Sequence, residues 1–382
     1  MKKLEKSVPV IRFKGFSEAW EQRKFIEIIN RLSKTSNSSI LPKVEYEDII
    51  AEEGRLNKDI SNKFDSRKGI LFQPKNILYG KLRPYLKNWL YPDFKGVAVG
   101  DFWVFEAIEA TPRFIYNLIQ SDSYQKVAND TAGTKMPRSD WTKVSNSSFF
   151  IPKESSEQKR IGTFFKQLDD TIALHQRKLD TLKQMKKGLL QQMFPKSEED
   201  VPKIRFADFD EEWYQRKLGE EFEKINERND GSFGKTHWIS VAKMYFVEPN
   251  KVLSNNIDTR TYVMRKGDIA FEGHSNTDFK FGRFVANDIG PGIVSELFPV
   301  YRHKTNYDNN YWKNAIQLEH IMAPIYSKSI TSSGNSSNKL DSKHFLNQKI
   351  YIADFEEQEK IGSIFKQLDN TIILYQNKLN KF

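Results

Sequence analysis

Few residues in this 382-residue chain are arranged for bond-making chemistry. It has no cysteine, which removes thiol nucleophiles, disulfides and thiolate zinc sites together. The six histidines, at 175, 237, 274, 303, 320 and 344, show no ligand spacing, and no Ser, His, Asp set stands out. The run GSFGKT at 231–236 ends like a phosphate loop, but the first glycine of G-x-x-x-x-G-K-T would fall on Asn229 and no buried strand feeds it. What the residue types do offer is contact with a polyanion. In YGKLRPYLKNW, 79–89, a basic cluster interleaves with Tyr85 and Trp89. Lys81, Arg83, Tyr85, Lys87 and Asn88, with Lys135 and Arg138 further on, are candidates for phosphates and base edges. A second set is Arg265, Lys266, His274, Ser275, Asn276, Lys280 and Arg283, then Ser336, Asn338 and Lys339. Tyr79, Leu82 and Leu86 read as core. The net charge of +10 agrees in sign, and it is spread over the chain with no basic tail.

Such contacts need rigid parts behind them, and the chain carries a frame in duplicate. Residues 157–194 read as one helix with no proline between 153 and 194, and about forty residues at about 1.5 Å each make a rod of roughly 60 Å. Ile161, Phe165, Leu168, Ile172, His175, Leu179, Leu182, Lys186, Leu189 and Met193 follow in steps of four and three, and eight of these ten are apolar, a heptad seam. Two hundred residues on, 15 of the 23 positions from 157 to 179 recur identically at 357–379. The seam recurs as Ile361, Phe365, Leu368, Ile372, Tyr375, Leu379 and Phe382. The two stripes are therefore expected to pack on each other as an intramolecular coiled coil, with His175 a tolerated polar position opposite Tyr375 or its neighbours. Lys186 and Lys187 are expected in solvent or near a partner.

A second repeat opens the chain. VPVIRFKGFSEAWEQRK (8–24) matches VPKIRFADFDEEWYQRK (201–217) at 11 of 17 positions, with Trp20 and Trp213 at matching places as packing anchors. Each half thus runs front motif, globular body, long helix. The implied divisions are a first body with its front motif over 1–150, a spacer helix over 151–194, a proline-bounded linker over 195–200, a second body over 201–350 and a shorter helix over 351–382. Both bodies mix aromatic and β-branched runs with glycine and proline, which predicts short strands, followed by a helix over 112–128 in the first and 308–325 in the second. A small polar turn then closes each body, at 131–134 and 331–338. The fold class is α+β: two mixed α/β domains and two long helices in an internal pseudo-two-fold repeat. The frames match while the bodies share little sequence, as expected if the frame has one job and each body its own specificity.

The repeated EQ-x-x-IG-x-x-FKQLD-x-TI-x-L helix, the YGKLRPYL run and the front W-x-QRK motif resemble the specificity subunit of type I restriction-modification systems, over essentially the whole chain. That resemblance implies two target-recognition domains, each reading one half of a split DNA sequence. It also implies long helices packed antiparallel as the spacer. It implies no catalysis in the chain itself, two modification subunits that methylate adenine, and restriction subunits that cleave. S-adenosylmethionine, ATP and magnesium would then belong to the partners, and this chain would need no cofactor or metal. In keeping with this, the chain has neither the glycine-rich cofactor loop nor the Asn/Asp-Pro-Pro-aromatic motif that an adenine methyltransferase would need.

The alternative is a coiled-coil scaffold whose two modules grip other proteins, the charge being incidental. No run approaches the eighteen or so apolar residues of a membrane span and the first residues hold no apolar core, so a cytoplasmic protein is expected. Two departures from the repeat stand out. The second helix stops twelve residues short of the counterpart of Phe194, from which weaker docking of one partner is expected. Ile352 stands where the first helix has Pro152, from which a different join between body and helix is expected.

Overall fold

The computed structural model describes residues 9–131, 135–196, 199–252, 260–333 and 337–381. Their contacts divide the chain into two units, 1–173 and 174–382.

The first unit is built on a four-stranded antiparallel sheet in the spatial order Ile29–Leu32, Phe102–Ala107, Ile77–Gly80, Trp89–Leu90. The second repeats that order with Phe222–Ile225, Val300–His303, Ile269–Glu272 and Arg283–Ala286, again antiparallel throughout. The aromatic runs fill the faces of these sheets. Phe25, Tyr79, Trp103, Phe105, Tyr124 and Phe149 are buried together in the first unit, and Phe222, Phe284, Tyr301, Trp312 and Phe345 in the second. Burying one such ring contributes about 1.5–3 kcal/mol, so each unit holds a core of its own.

The expected helix over 112–128 is two helices, Pro112–Gln120 and Asp122–Ala128. Ser121 between them is extended, and its Oγ accepts from Tyr124 N at 3.4 Å, so a cap competes successfully with helix continuation. The one expected over 308–325 is likewise split, into Asn309–Ala315 and Glu319–Ser329, with Leu318 extended at the break. Among the short helices not anticipated, Trp141–Asn146 and Ser342–Asn347 are each capped by an aspartate, Asp140 and Asp341.

The front motif does more than anchor a tryptophan. Its QRK end is a strand, Glu21–Lys24 in one unit and Tyr214–Lys217 in the other, paired with the strand that leads into the long helix, Ser148–Ile151 or Lys349–Ile352. Ahead of that strand, Arg12 holds Glu157 through two hydrogen bonds of 2.6 and 2.7 Å, and Trp20 Nε1 donates to the same carboxylate at 3.3 Å. Arg205, Glu357 and Trp213 repeat the arrangement at 2.8, 2.8 and 3.0 Å. The adjacent glutamines tie in the body: Gln158 Oε1 accepts from Thr111 N at 2.8 Å, and Gln358 Oε1 from Asp308 N at 3.3 Å. The join differs between the units at the position marked by Pro152, since Gln158 Nε2 donates to Pro152 O whereas Gln358 Nε2 donates to Ala353 O.

The long helices are Ser155–Gln192 and Phe355–Leu379, uninterrupted as the periodicity predicts. Within the second unit they run antiparallel. Phe194 meets Phe365 with ring centroids 6.1 Å apart, Lys186 Nζ lies 2.6 Å from Asp369 Oδ1, and His175 faces Tyr375 at 5.5 Å. Along that contact Leu179, Ile361 and Phe365 are buried, and Leu182, Leu368, Ile372 and Leu379 half-buried. Lys186 is thus a seam residue with an ionic partner, not a solvent lysine. In the first unit Ile161 packs against the core and Leu168 and Ile172 are half-buried, but Phe165 corrects the expected seam: it is 43% exposed where Phe365 is 0%. Phe194 covers Phe365, whereas the ring beside Phe165 is its own neighbour Phe164 at 5.5 Å. Phe382 lies outside the described residues.

Candidate nucleic-acid interface

In the first unit the chain leaves the central strand Ile77–Gly80 and makes a tight 3-10 turn, Pro84–Leu86, before re-entering the sheet at Trp89. The turn is flanked by two non-glycine residues in the left-handed region, Arg83 at φ 49 and Lys87 at φ 53. Surrounding bonds hold them there: Arg83 N donates to Pro137 O at 2.7 Å, and Lys87 N to Pro84 O at 2.9 Å. The segment 135–139 lies alongside, through a bridge between Leu82 and Arg138 and a bond from Ser139 N to Lys81 O at 2.9 Å, while residues 132–134 of the expected closing turn lie outside the described residues. Lys81, Arg83, Tyr85, Lys87, Lys135 and Arg138 therefore belong to neighbouring segments at one end of the sheet.

Asp101 organises the cations at this end. Its Oδ2 accepts from Arg138 at 3.0 Å and its Oδ1 lies 3.5 Å from Lys81 Nζ. Partial burial works against the Asp101 charge, but Arg138 and Lys81 outweigh it and hold the carboxyl below its ordinary range. The Asp101 carbonyl also accepts from Tyr46 Oη at 2.6 Å, and that hydroxyl accepts from Leu82 N at 3.1 Å. Neither Asp101 nor Tyr46 was singled out from the sequence. They lie far from the loop along the chain, and no local signal marks them.

Two assignments change. Asn88 is buried, its backbone carbonyl accepting from Gly80 N at 2.7 Å, so it is not an exposed contact residue. Leu86, read as core, is exposed beside Tyr85, whereas Tyr79 is buried and Leu82 half-buried.

The second unit places its loop at the equivalent point, between strands Ile269–Glu272 and Arg283–Ala286. His274, Ser275, Asn276 and Lys280 are exposed along it. The turn expected over 331–338 is strand at both ends, Ile330–Ser333 paired with Asn338–Leu340, and its residues 334–336 lie outside the described residues. The second of these strands lies alongside the loop, with Asn338 N donating to Gly273 O at 2.9 Å and Asn338 Nδ2 to Ser275 Oγ at 3.4 Å. Lys339 is exposed on the same strand, Asn338–Leu340. A Cβ at Gly273 would fall 2.3 Å from Asn338 O, so only glycine permits this approach. His274 Nδ1 is hydrogen-bonded to the buried Glu272 carboxylate.

Arg265 and Lys266 do not join this cluster. They stand beyond the other end of strand Ile269–Glu272, whose two ends are three steps of about 3.3 Å, about 10 Å, apart. Arg265 is committed to Glu227 at 2.6 Å, as is Arg302 at 3.2 Å, and these contacts, Arg265 first, hold Glu227 below the usual carboxylate range. Arg283 is half-buried, its Nη2 donating to Ala242 O at 2.5 Å and its guanidinium 4.8 Å from the Phe279 ring centroid, so it props the loop. Ser336 lies outside the described residues. The 231–236 run is a loop folded on Asn229, whose Oδ1 accepts from Gly231 N at 3.3 Å and Phe233 N at 3.2 Å, and it does not form a phosphate cradle.

Residues 17–184 match the family model described as the type I restriction modification DNA specificity domain. This segment of the chain is a type I restriction-modification DNA specificity domain. Its function is therefore DNA recognition as a specificity subunit, in a family of generally non-catalytic chains. Solved structures share the fold of this specificity subunit. The type I restriction-modification S subunit from M. genitalium aligns with TM-score 0.59 at 14% identity, covering 98% of this chain and 95% of that one. A chain from a type I system, solved to explain complex assembly and conformational transition, aligns with TM-score 0.53 at 16% identity over 98% and 95%. No curated protein matches the specificity subunit. Among its described residues no helix is long and apolar enough to cross a membrane, and no group of three or more His, Asp or Glu could hold a metal ion.

Proposed function

We propose that each body reads one half of a bipartite duplex target, using the loop after its central strand together with the segment after its closing turn. The observation that carries this is the placement of chemically different loops at the same point of the same sheet in both units: Lys81, Arg83, Tyr85, Lys87, Lys135 and Arg138 in one, and His274, Ser275, Asn276, Lys280, Asn338 and Lys339 in the other. Lysine and arginine position the duplex through its phosphates, and the amide, hydroxyl and guanidinium groups read base edges. The long helices set the separation and rotational phase of the two readings, which matter because the duplex turns once in about 10–10.5 base pairs.

The chain itself methylates and cleaves nothing and needs no cofactor. It carries two modification subunits, which use S-adenosylmethionine, and restriction subunits, which use ATP and magnesium, and the assembly works in the cytoplasm. Mapping methylated adenines in cells that hold this chain and a partner methyltransferase tests the reading. Exchanging residues 25–150 for another body changes one half of the methylated motif and leaves the other. A change in both halves, or duplex binding whose affinity does not fall with salt, refutes it.

A further inference from the structure

The loop tip of the first body has a property that phosphate contact does not require. Tyr85 is 55% exposed and Leu86 41% exposed, and Met136 on the adjoining segment is 48% exposed. The tip is also stiff. Leu86 N donates to Arg83 O at 2.8 Å, Arg83 N to Pro137 O at 2.7 Å, Glu52 N to Lys87 O at 3.0 Å and Gly80 N to Asn88 O at 2.7 Å. Arg83 and Lys87 are both held in the left-handed region, which side chains other than glycine seldom adopt and which clusters at working sites. Cations surround the projection: Lys81 and Arg138 on Asp101, Lys87 beside Glu52 at 3.2 Å, and Arg83 and Lys135.

A rigid apolar tip in a ring of positive charge matches what a kinked duplex presents to a protein. Phosphates are drawn to the rim, and leucine, methionine or an aromatic ring enters between base pairs at the centre. We propose that Tyr85 and Leu86 form a wedge that unstacks one base step within the half-site read by the first body. The inference rests on the DNA reading above and adds to it a deformation of the target. Among the described residues the corresponding loop of the second body has no such tip: it exposes His274, Ser275 and Asn276, and its aromatics, Phe279 and Phe281, are half-buried, Phe279 against Arg283. The wedge is therefore assigned to the loop of the first body alone. An unstacked step also lowers the cost of turning a base out of the duplex, which a base-modifying partner must meet.

The test uses the full chain and a duplex bearing the motif found by methylation mapping, probed with permanganate, which attacks unstacked thymines. Binding is expected to make thymines at one step of the first body's half reactive. The exposed-site variant Tyr85→Ser/Leu86→Ser, or Leu86→Ala alone, is expected to abolish that reactivity and to weaken binding about tenfold or more, since one stacked base is worth about 1–3 kcal/mol. The salt dependence should stay unchanged, because no phosphate contact is removed. A wild-type complex that binds the motif with every thymine protected, or a double variant that keeps the reactivity, overturns the wedge and leaves the DNA reading standing. Absence of salt-dependent binding by the wild-type chain overturns both.

Discussion

Arg205 and Glu357 stand 152 residues apart in the chain and meet through two parallel hydrogen bonds of 2.8 Å, with the glutamate side chain fully buried and the arginine nearly so. Trp213 Nε1 reaches the same carboxylate, so two residues of the front motif converge on one charge at the start of the long helix. Removing one member of such a pair leaves the other buried and unmatched. Glu357→Gln is expected to destabilise the second unit by about 3 kcal/mol, read as a lowered urea midpoint. A change within about 0.5 kcal/mol would show that the clamp does not hold the body to its helix.

The glycines of the two long helices separate packing from propensity. A Cβ at Gly362 would fall 1.9 Å from Asp308 Oδ1, and Asp308 caps helix Asn309–Ala315 through a 2.7 Å bond from Tyr311 N. Gly362→Ala must displace that cap, at a cost of about 1 kcal/mol or more. Gly188 has nothing within 4 Å, and Gly188→Ala is expected to raise stability by up to about 1 kcal/mol through helix propensity alone. Thermal melts of the two variants should move in opposite directions.

Phe165 and Phe365 occupy the same place in the repeat and differ in burial. Phe365→Ala is expected to cost about 3–5 kcal/mol, the usual range for emptying a buried phenylalanine site. Phe165→Ala should cost under about 1 kcal/mol, as at exposed positions generally. Equal losses in urea titrations would mean that both rings are covered in solution.

His303 provides a pH test. It stacks on Tyr307 at 3.8 Å and packs at a tilt against Phe222 at 4.3 Å, and burial pushes its pKa down from 6.5 to about 3. Between those values the unfolded chain takes up a proton that the folded chain refuses. Stability therefore falls as pH drops through that window, by up to about 1.4 kcal/mol per pH unit from this group. Denaturant midpoints measured from pH 7 to pH 5 should fall less steeply for His303→Phe than for the parent chain. An unchanged slope would remove His303 as a source of acid sensitivity.

Much of the frame is legible in the order of residues because it repeats and because its period is local. Apolar steps of four and three mark a helix wherever they occur, and recurrence at 157–179 and 357–379 declares the duplication without coordinates. The alternation of cations and rings at 79–89 likewise marks a surface worth examining. Contacts between distant segments leave no such trace. That Asp101 joins Lys81 to Arg138, that Asn88 is buried while Leu86 is exposed, and that Arg265 stands at the opposite end of strand Ile269–Glu272 from the loop follow from sheet order and strand length. The same holds for Phe165 and Phe365: one residue type in one local pattern is buried or exposed according to what the rest of the chain lays over it. Hydrophobic period determines which face of a helix seeks cover, and only tertiary packing supplies the cover.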